Sequence, residues 1–486
     1  MEPLPLDAIT AERVRSRLST TSEIVPAEES QQDDKEGDDE KDTTGNDRDL
    51  HGSTPPHYDP EPLAPVSSLD AARKFISADF TEGGLQGWLN VAGSFMILFA
   101  TFGYVNAFGA YQSYYQLNFL SHKSASDIAW IGSTGLAIEY SMAFIAGPLF
   151  DRGYFRTLII VGSLGFTFCL FMTSLCKEYW QIMLAQGIGL GLSMGCQFMP
   201  SASVLAHYFY RRRSLAMGIA MAGSSLGGII FPIMLNQLFP RVGFGSSVRA
   251  SAYLVLGLFI IAILIMKPRY PAKPETSSAL NKSQWSQFKY IFKETRYQLT
   301  VAAITMIVLG SYYPVTFIQT YAELSGMPPS ISNNILAILN SSSFCGRILL
   351  PAVADELGAF NTLIISTSGA SALIFALYGV SSPASVIVFA LLYGFFSGGI
   401  VSLISPVLIA TANNIHEIGT RQGCGFIVNG LAALACAPIA GALLEAGGGD
   451  NFKYSTAFAG GVIALGSALL FVARCYQSRL LGKSRV

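Results

Sequence analysis

A chain of 486 residues that is 51% hydrophobic and only 13% charged, with a mean hydropathy of +0.42, is too apolar for an ordinary water-soluble protein. Its formal net charge of −1 hides two opposed regions: residues 1–85 hold 20 of the 32 acidic groups and 8 of the 31 basic ones, so the remainder is strongly basic. The seven cysteines all fall within or at the end of apolar runs without metal-ligand spacing, which argues against a disulfide framework and against a zinc site.

Residues 1–81 are rich in Asp, Glu, Ser, Thr and Pro and include the acidic run from Asp33 to Glu40. Such a segment buries too little apolar surface to offset the entropy of ordering. It has no charged-then-apolar leader. The expectation is a disordered acidic tail on the cytoplasmic side. From Trp88 onward, apolar runs of about 20 residues recur, each long enough at ~1.5 Å per residue to cross a hydrocarbon core of ~30 Å. They place spans near 88–111, 127–150, 157–177, 180–206, 214–238, 248–267, 298–321, 331–354, 361–380, 383–410, 422–445 and 454–474. Backbone groups in lipid need internal partners, so these runs must be helical. The fold class expected is an all-α membrane protein with twelve transmembrane helices.

The fifth run has a distinct entrance. Arg211, Arg212 and Arg213 lead directly into a segment in which Gly218, Ala222, Gly223 and Gly227 recur at helical spacing, the pattern of a basic loop before a closely packed span. Placing both termini inside puts seventeen Lys and Arg in the inner loops and C-terminal tail against five outside, so both ends are expected in the cytoplasm. The sequon at Asn281 then falls in the cytoplasm and the one at Asn340 inside the membrane, and neither is expected to carry glycan. The polar, basic connection 268–297 divides an N-terminal six-helix half, 82–267, from a C-terminal half, 298–475, with a short basic tail at 476–486. The halves echo each other: the segment from Gly147 to Arg152 after span 2 returns as Pro351 to Glu356 after span 8, 204 residues later. Two parallel repeats of this kind place a site between them.

These residues resemble a known group. Gly147, Leu149, Asp151 and Arg152, with Arg156 closing the loop, look like the signature loop of the major facilitator superfamily. The string from Asp151 to Arg156 is similar to the version in fungal relatives of the monocarboxylate porters. The stretch from Tyr208 to Gly227 looks like that family's second signature. Glu82 to Trp88 looks like its first, with one extra residue before the tryptophan. The resemblance covers about 82–476 and implies two pseudo-repeated six-helix halves that work by alternating access. Asp151 and its loop, with Asp355 in the second copy, are read as a conformational latch, in which Asp151 pairs with Arg152, Arg156 or the end of a neighbouring helix. Glu356, Ala359 and Phe360 stand where basic residues often lie, so the second latch is expected to be weaker or differently wired.

Charges inside spans cost roughly 2.5–3.5 kcal/mol each and call for a reason. Arg347 lies within span 8, where the resemblance implies an arginine that contacts a substrate carboxylate; the guanidinium fork suits that geometry. Glu139, near the middle of span 2, is the candidate for carrying a coupling proton, or else it sits neutral and hydrogen-bonded. The porters of lactate-sized acids place a lysine where this chain has Asn106 and an aspartate where it has Ser343, so the family's proton-linked mechanism does not transfer directly. Asn106 and Tyr104 in span 1, Gln197 in span 4, Tyr313 and Gln319 in span 7 and Tyr393 in span 10 are further cavity-facing candidates, with ordinary packing as the plainer alternative for each.

Gly187, Gly191 and Gly195 form a close-packing ridge rather than a nucleotide loop, since no strand precedes them. Neither the five scattered histidines nor any other cluster builds a hydrolase triad, a metal site or a nucleic-acid surface. No cofactor is expected. The reading is a non-enzymatic, monomeric, multi-pass carrier of a small organic anion in the lipid bilayer, driven by a gradient in which protons are one option. The plasma membrane is the expected location and the vacuolar membrane the alternative. Export of a secondary metabolite, uptake of a vitamin such as riboflavin, and a non-transporting sensor are the rival functions.

Overall fold

The computed structural model describes residues 82–123, 125–269, 290–324, 326–332, 334–380, 382–412, 417–446 and 452–481. The acidic tail and the sequon at Asn281 lie outside the described residues. Every regular element among the described residues is helical. We number the spans α1 (Gly84–Gln112), α2 (Ala125–Asp151), α3 (Phe155–Thr173), α4 (Tyr179–His207), α5 (Arg213–Val242) and α6 (Phe244–Ile265) in the first half. The second half holds α7 (Thr295–Leu324), α8 (Ile335–Leu357), α9 (Ala359–Gly379), α10 (Pro383–Ala410), α11 (Ile418–Ala446) and α12 (Lys453–Leu481). Ten of these meet the length and apolarity needed to cross a membrane. The other two, α2 and α11, are 27 and 29 residues long, which is enough to span.

Local chemistry sets the ends. Ser382 opens α10 with a reciprocal capping box to Ser385, and Pro383 follows at the first helical position. A single residue joins α5 to α6 and another joins α8 to α9; Gly243 (φ 77°) and Gly358 (φ 98°) fill these places because other residues resist positive φ. The first span is not one continuous helix: it breaks at Thr101 and again at Asn106 and Ala107. The run through Met183–Gly189 in α4 is a π-type segment.

Within the first half α5 packs on α1, and α4 on α2 and α3; within the second, α7 packs on α12, α8 on α10 and α9 on α12. Two seams join the halves, α2 against α11 and α5 against α8. Burial follows this order: 61% of the apolar window of α5 is buried against 33% for α6, so α5 is central and α6 peripheral. Leu164 and Phe168 on α3 and Leu264 on α6 are exposed, as lipid-facing apolar positions are. One boundary differs from the sequence reading in a way that matters. Span 11 begins at Ile418 rather than 422, so Arg421, counted among the loop cations, lies inside the helix and is wholly buried.

Candidate functional site

At one end of the bundle, here called the latch end, two aspartates cross between the halves. Asp151, the last residue of α2, accepts the backbone N–H groups of Gly419 (2.9 Å) and Thr420 (2.7 Å) and the Thr420 hydroxyl (2.8 Å) at the start of α11. Asp355 near the end of α8 accepts the N–H groups of Ser214 (2.8 Å) and Leu215 (3.0 Å) at the start of α5. Each carboxylate thereby satisfies orphan donors and meets the positive end of a helix in the opposite half. Of the three partners expected for Asp151, the structure selects the helix end. Arg156 is exposed and Arg152 partly so. The second latch repeats the first rather than being rewired: Asp355 also takes two backbone N–H groups and interacts with the Ser214 side chain, and Glu356 stays exposed.

The seams close this tightly because small residues line them. A Cβ on Gly147 would lie 2.2 Å from the Gly419 carbonyl oxygen, and one on Gly218 would lie 2.3 Å from the Arg347 carbonyl oxygen. The ridge in α4 works likewise: a Cβ on Gly191 would come 2.6 Å from the Gly135 carbonyl oxygen of α2.

Two further carboxylates at the latch end were not singled out from sequence. Glu82 accepts the N–H groups of Tyr210 (3.0 Å), Arg211 (2.6 Å) and Arg212 (2.8 Å), while Trp88 meets Phe209 edge-on at 5.2 Å. The first and second signatures are thus one structural unit. In the second half, Arg421 forks onto both oxygens of Glu294 at 2.8 Å and donates to Glu417 at 3.0 Å. Partial burial opposes charge on Glu294, but Arg421 and Arg296 outweigh it and hold its pKa below the ordinary glutamate value. The signal in the sequence was slight: a glutamate at the foot of spans 1 and 7.

Deeper in the bundle, α1, α5 and α8 converge. The Arg347 guanidinium is buried; Nη1 donates to the Met221 carbonyl (3.1 Å) and to the Ser224 hydroxyl, and Nε to Ser343 Oγ (3.3 Å). Ser225 donates to the same Ser343 hydroxyl (3.3 Å), and Asn106, at the break in α1, reaches the Ser224 carbonyl at 3.5 Å. The side chains of Asn106 and Asn340 both approach Gly228. The cluster therefore unites Arg347, Asn106 and Ser343, and adds Asn340, noted in the sequence only as a sequon, with Ser224 and Ser225, which nothing but their place on a small-residue helix face distinguishes. Neither donors nor acceptors here include a carboxylate. Arg347 has charge to offer.

Other candidates sit elsewhere. Tyr104 is buried against Phe166, Phe231 and Tyr111, whose hydroxyl it meets, and lines a small cavity between α1, α2 and α4. Gln197 binds Ser163 and the Ser193 carbonyl, both at 3.3 Å, inside the first half. Tyr313 bonds Thr456 (3.0 Å) and Tyr393 bonds the Ser311 carbonyl (2.7 Å), both inside the second half. Gln319 is exposed. Glu139 is fully buried, and neither carboxyl oxygen has a hydrogen-bond partner among the described residues. Beside it, Tyr140 stacks on Phe426 at 5.6 Å and shares a 3.0 Å hydroxyl bond with Tyr312 of the other half. Among the described residues no group of acidic, His or Cys side chains could hold a metal ion.

Two six-helix halves with repeated motifs have the architecture of a membrane carrier. The chain belongs to the Major Facilitator Superfamily, whose sequence pattern it matches over residues 85–420. It is 39% identical to the aspyridones efflux protein apdF of Emericella nidulans, over 81% of this chain and 80% of that one. It is 40% identical to MFS-type transporter 1 of an Ophiocordyceps species, over 82% and 87%. Among solved structures, the fold is similar to FucP in the outward conformation (TM-score 0.63, 16% identity, covering 79% of this chain and 98% of that one). It is equally similar to the human organic anion transporter MFSD10 (TM-score 0.63, 14% identity, 79% and 98%).

Proposed function

We propose that this transporter exports a carboxylated secondary metabolite by alternating access, with the carboxylate held at Arg347. The observation that carries the reading is a buried guanidinium on the seam between halves that binds hydroxyls and a carbonyl but no acid. A carboxylate offers it a charged, bidentate partner in place of neutral ones. The efflux name of one relative supports the direction. In this reading the latch end faces the cytoplasm, both termini lie on that side, and the plasma membrane is the site of action.

The cluster also suggests how occupancy moves the machine. Arg347 on α8 holds α5 through Met221 and Ser224. An arriving carboxylate competes for those donors, so binding weakens the α5–α8 seam by the difference in its affinity for the two arrangements. The test compares metabolites inside and outside cells with and without the gene, then reintroduces variants. Arg347→Ala should leave an acidic metabolite inside as the deletion does. Arg347→Lys, which keeps charge but loses the fork, should restore only part of the export. Full export by Arg347→Ala would end the assignment.

A further inference from the structure

The latches leave four arginines without a task. Both latches are built from a carboxylate and backbone N–H groups at the start of a helix. The loops of the second half, residues 350–360 and 411–420, contain no Lys or Arg, whereas the corresponding loops of the first hold Arg152, Arg156, Arg211, Arg212 and Arg213. Arg213 lies within electrostatic range of Asp355. The other four have no such role: Arg156, Arg211 and Arg212 are exposed, Arg152 is partly so, and none is paired with a carboxylate among the described residues.

The fold brings these four together. Phe150, near the end of α2, meets Phe155 edge-on across the α2–α3 loop at 6.2 Å and stacks on His207 at the end of α4 at 5.2 Å. The loop that carries Arg152 and Arg156 is thereby set beside the loop that carries Arg211 and Arg212. The end of α6 adjoins the same place: Tyr208 donates to the Lys267 carbonyl (2.9 Å), the Lys267 side chain is exposed, and the Arg269 guanidinium lies over the Tyr208 ring at 5.9 Å. The neighbouring acids are engaged elsewhere, Asp151 on α11 and Glu82 on the backbone N–H groups of 210–212. Three connections of one half thus present a single cationic face.

The depth of that face identifies its ligand. Tyr154, between two of the arginines, and Tyr210, just before the other two, are 53% and 46% exposed. Exposed tyrosines at the end of a span sit at headgroup level, with the ring toward the acyl boundary and the hydroxyl toward water. The guanidinium groups beside them therefore lie at the level of the lipid phosphates. An arginine fork takes phosphate oxygens in pairs, and four forks on two loops exceed what one phosphodiester can occupy. Orientation by loop charge requires only enough cations near the span ends. It does not require two loops to converge between tyrosines.

We propose that this face binds an anionic phospholipid of the latch-side leaflet whose headgroup bears a phosphomonoester, held between Arg152 and Arg156 on one loop and Arg211 and Arg212 on the other. The proposal rests on the membrane-embedded fold, but not on Arg347 or on the identity of the solute.

The test uses the full chain in detergent and a fluorescent phosphatidylinositol bisphosphate, with binding read by anisotropy. Arg152→Gln with Arg156→Gln, and separately Arg211→Gln with Arg212→Gln, should each weaken binding by about tenfold or more. Lysine at all four positions, which keeps the charge but loses the fork, should recover only part of it. Removing two exposed cations of the second half, Lys293→Gln with Arg479→Gln, should change binding by less than about twofold. Without the lipid every variant should unfold at the wild-type temperature; in nanodiscs that contain it, the wild type and the second-half variant should gain stability and the two first-half variants should not. Equal weakening by the second-half variant, or equal competition by phosphatidylserine, would show a surface that reads charge alone and would overturn the proposal. Inositol trisphosphate binding as tightly as the lipid would assign the face to a soluble phosphate, and displacement by a polyglutamate peptide but not by unlabelled lipid would assign it to an acidic protein segment; either result would end the lipid assignment. Failure of Arg347 to govern export would leave every one of these readouts unchanged.

Discussion

Removing the Asp151 carboxylate offers a direct measure of the latch. Asp151→Ala deletes three hydrogen bonds, of 2.9, 2.7 and 2.8 Å, and strips the start of α11 of its cap. Loss of a helix cap costs about 1 kcal/mol and loss of hydrogen bonds to a charged group about 1.5–3 kcal/mol each. In the open conformation water satisfies all these groups, so only the difference counts. A shift of about 1–3 kcal/mol is therefore expected, or roughly 5–150-fold in the ratio of closed to open molecules. Position 211 on the first half and 356 on the second are exposed at the latch end. Spin labels there, in a background free of the seven native cysteines, read that ratio as two distance populations. Asp355→Ala, which removes the same number of backbone bonds and the interaction with the Ser214 side chain, should shift it by a similar amount. The two variants should add in free energy, because they act on one rigid-body equilibrium at separate seams. An unchanged distribution in Asp151→Ala would show that the carboxylate caps α11 in both conformations and latches nothing.

Other outcomes follow from the same geometry. Gly147→Leu places side-chain atoms where the Gly419 carbonyl now lies, 2.2 Å from the first added carbon, so the open population in the same label experiment should predominate while the protein still inserts. Arg421→Met removes the cation that Glu294 and Glu417 share and leaves Glu294 with Arg296; since both carboxylates reach solvent, the cost should be about 1–3 kcal/mol, read as a lowered unfolding temperature in detergent. Because the Glu294 pKa is depressed in the fold, its stabilising contribution is complete above the ordinary glutamate value of about 4.3 and disappears as pH falls through the lowered value. Unfolding temperatures of the wild type should drop across that acid window more steeply than those of Glu294→Gln; parallel curves would contradict the assignment.

The spans, the two halves and the repeated loop that carries Asp151 and Asp355 are legible because apolar runs, basic loops and a 204-residue echo are one-dimensional signals. Arg347 was legible for a related reason: a charge inside an apolar run stands out. Its partners were not. Ser224, Ser225 and the Met221 carbonyl look like ordinary small-residue helix packing until α5 and α8 are brought together. Tyr313, Tyr393 and Gln197 make helix–helix hydrogen bonds within one half, the plainer alternative that the sequence offers for each, since a polar tip on a span predicts some hydrogen bond but not which neighbour accepts it. Arg421 misled because a cation four residues into a helix reads as loop when its acidic partners lie 127 residues and one turn away. The Asp355 contact is hard to read in sequence because its loop lacks the basic residues of the first copy, whereas the aspartate accepts backbone N–H groups that leave no mark on residue type.

The paired latches carry a further implication about origin and design. Asp151 of the first half grips the fifth helix of the second, and Asp355 of the second grips the fifth helix of the first. In symmetry terms this is an isologous contact, the kind made by two copies of one subunit about a two-fold axis. A six-helix ancestor carrying a single aspartate would have closed both bolts at once by dimerising. In the present chain the two copies differ at their centres: the first carries Glu139 where the second has Ser343, and the second carries Arg347 where the first has Ala143. Duplicating the first half as a homodimer should accordingly rebuild the gate while leaving nothing at its centre to hold an anion.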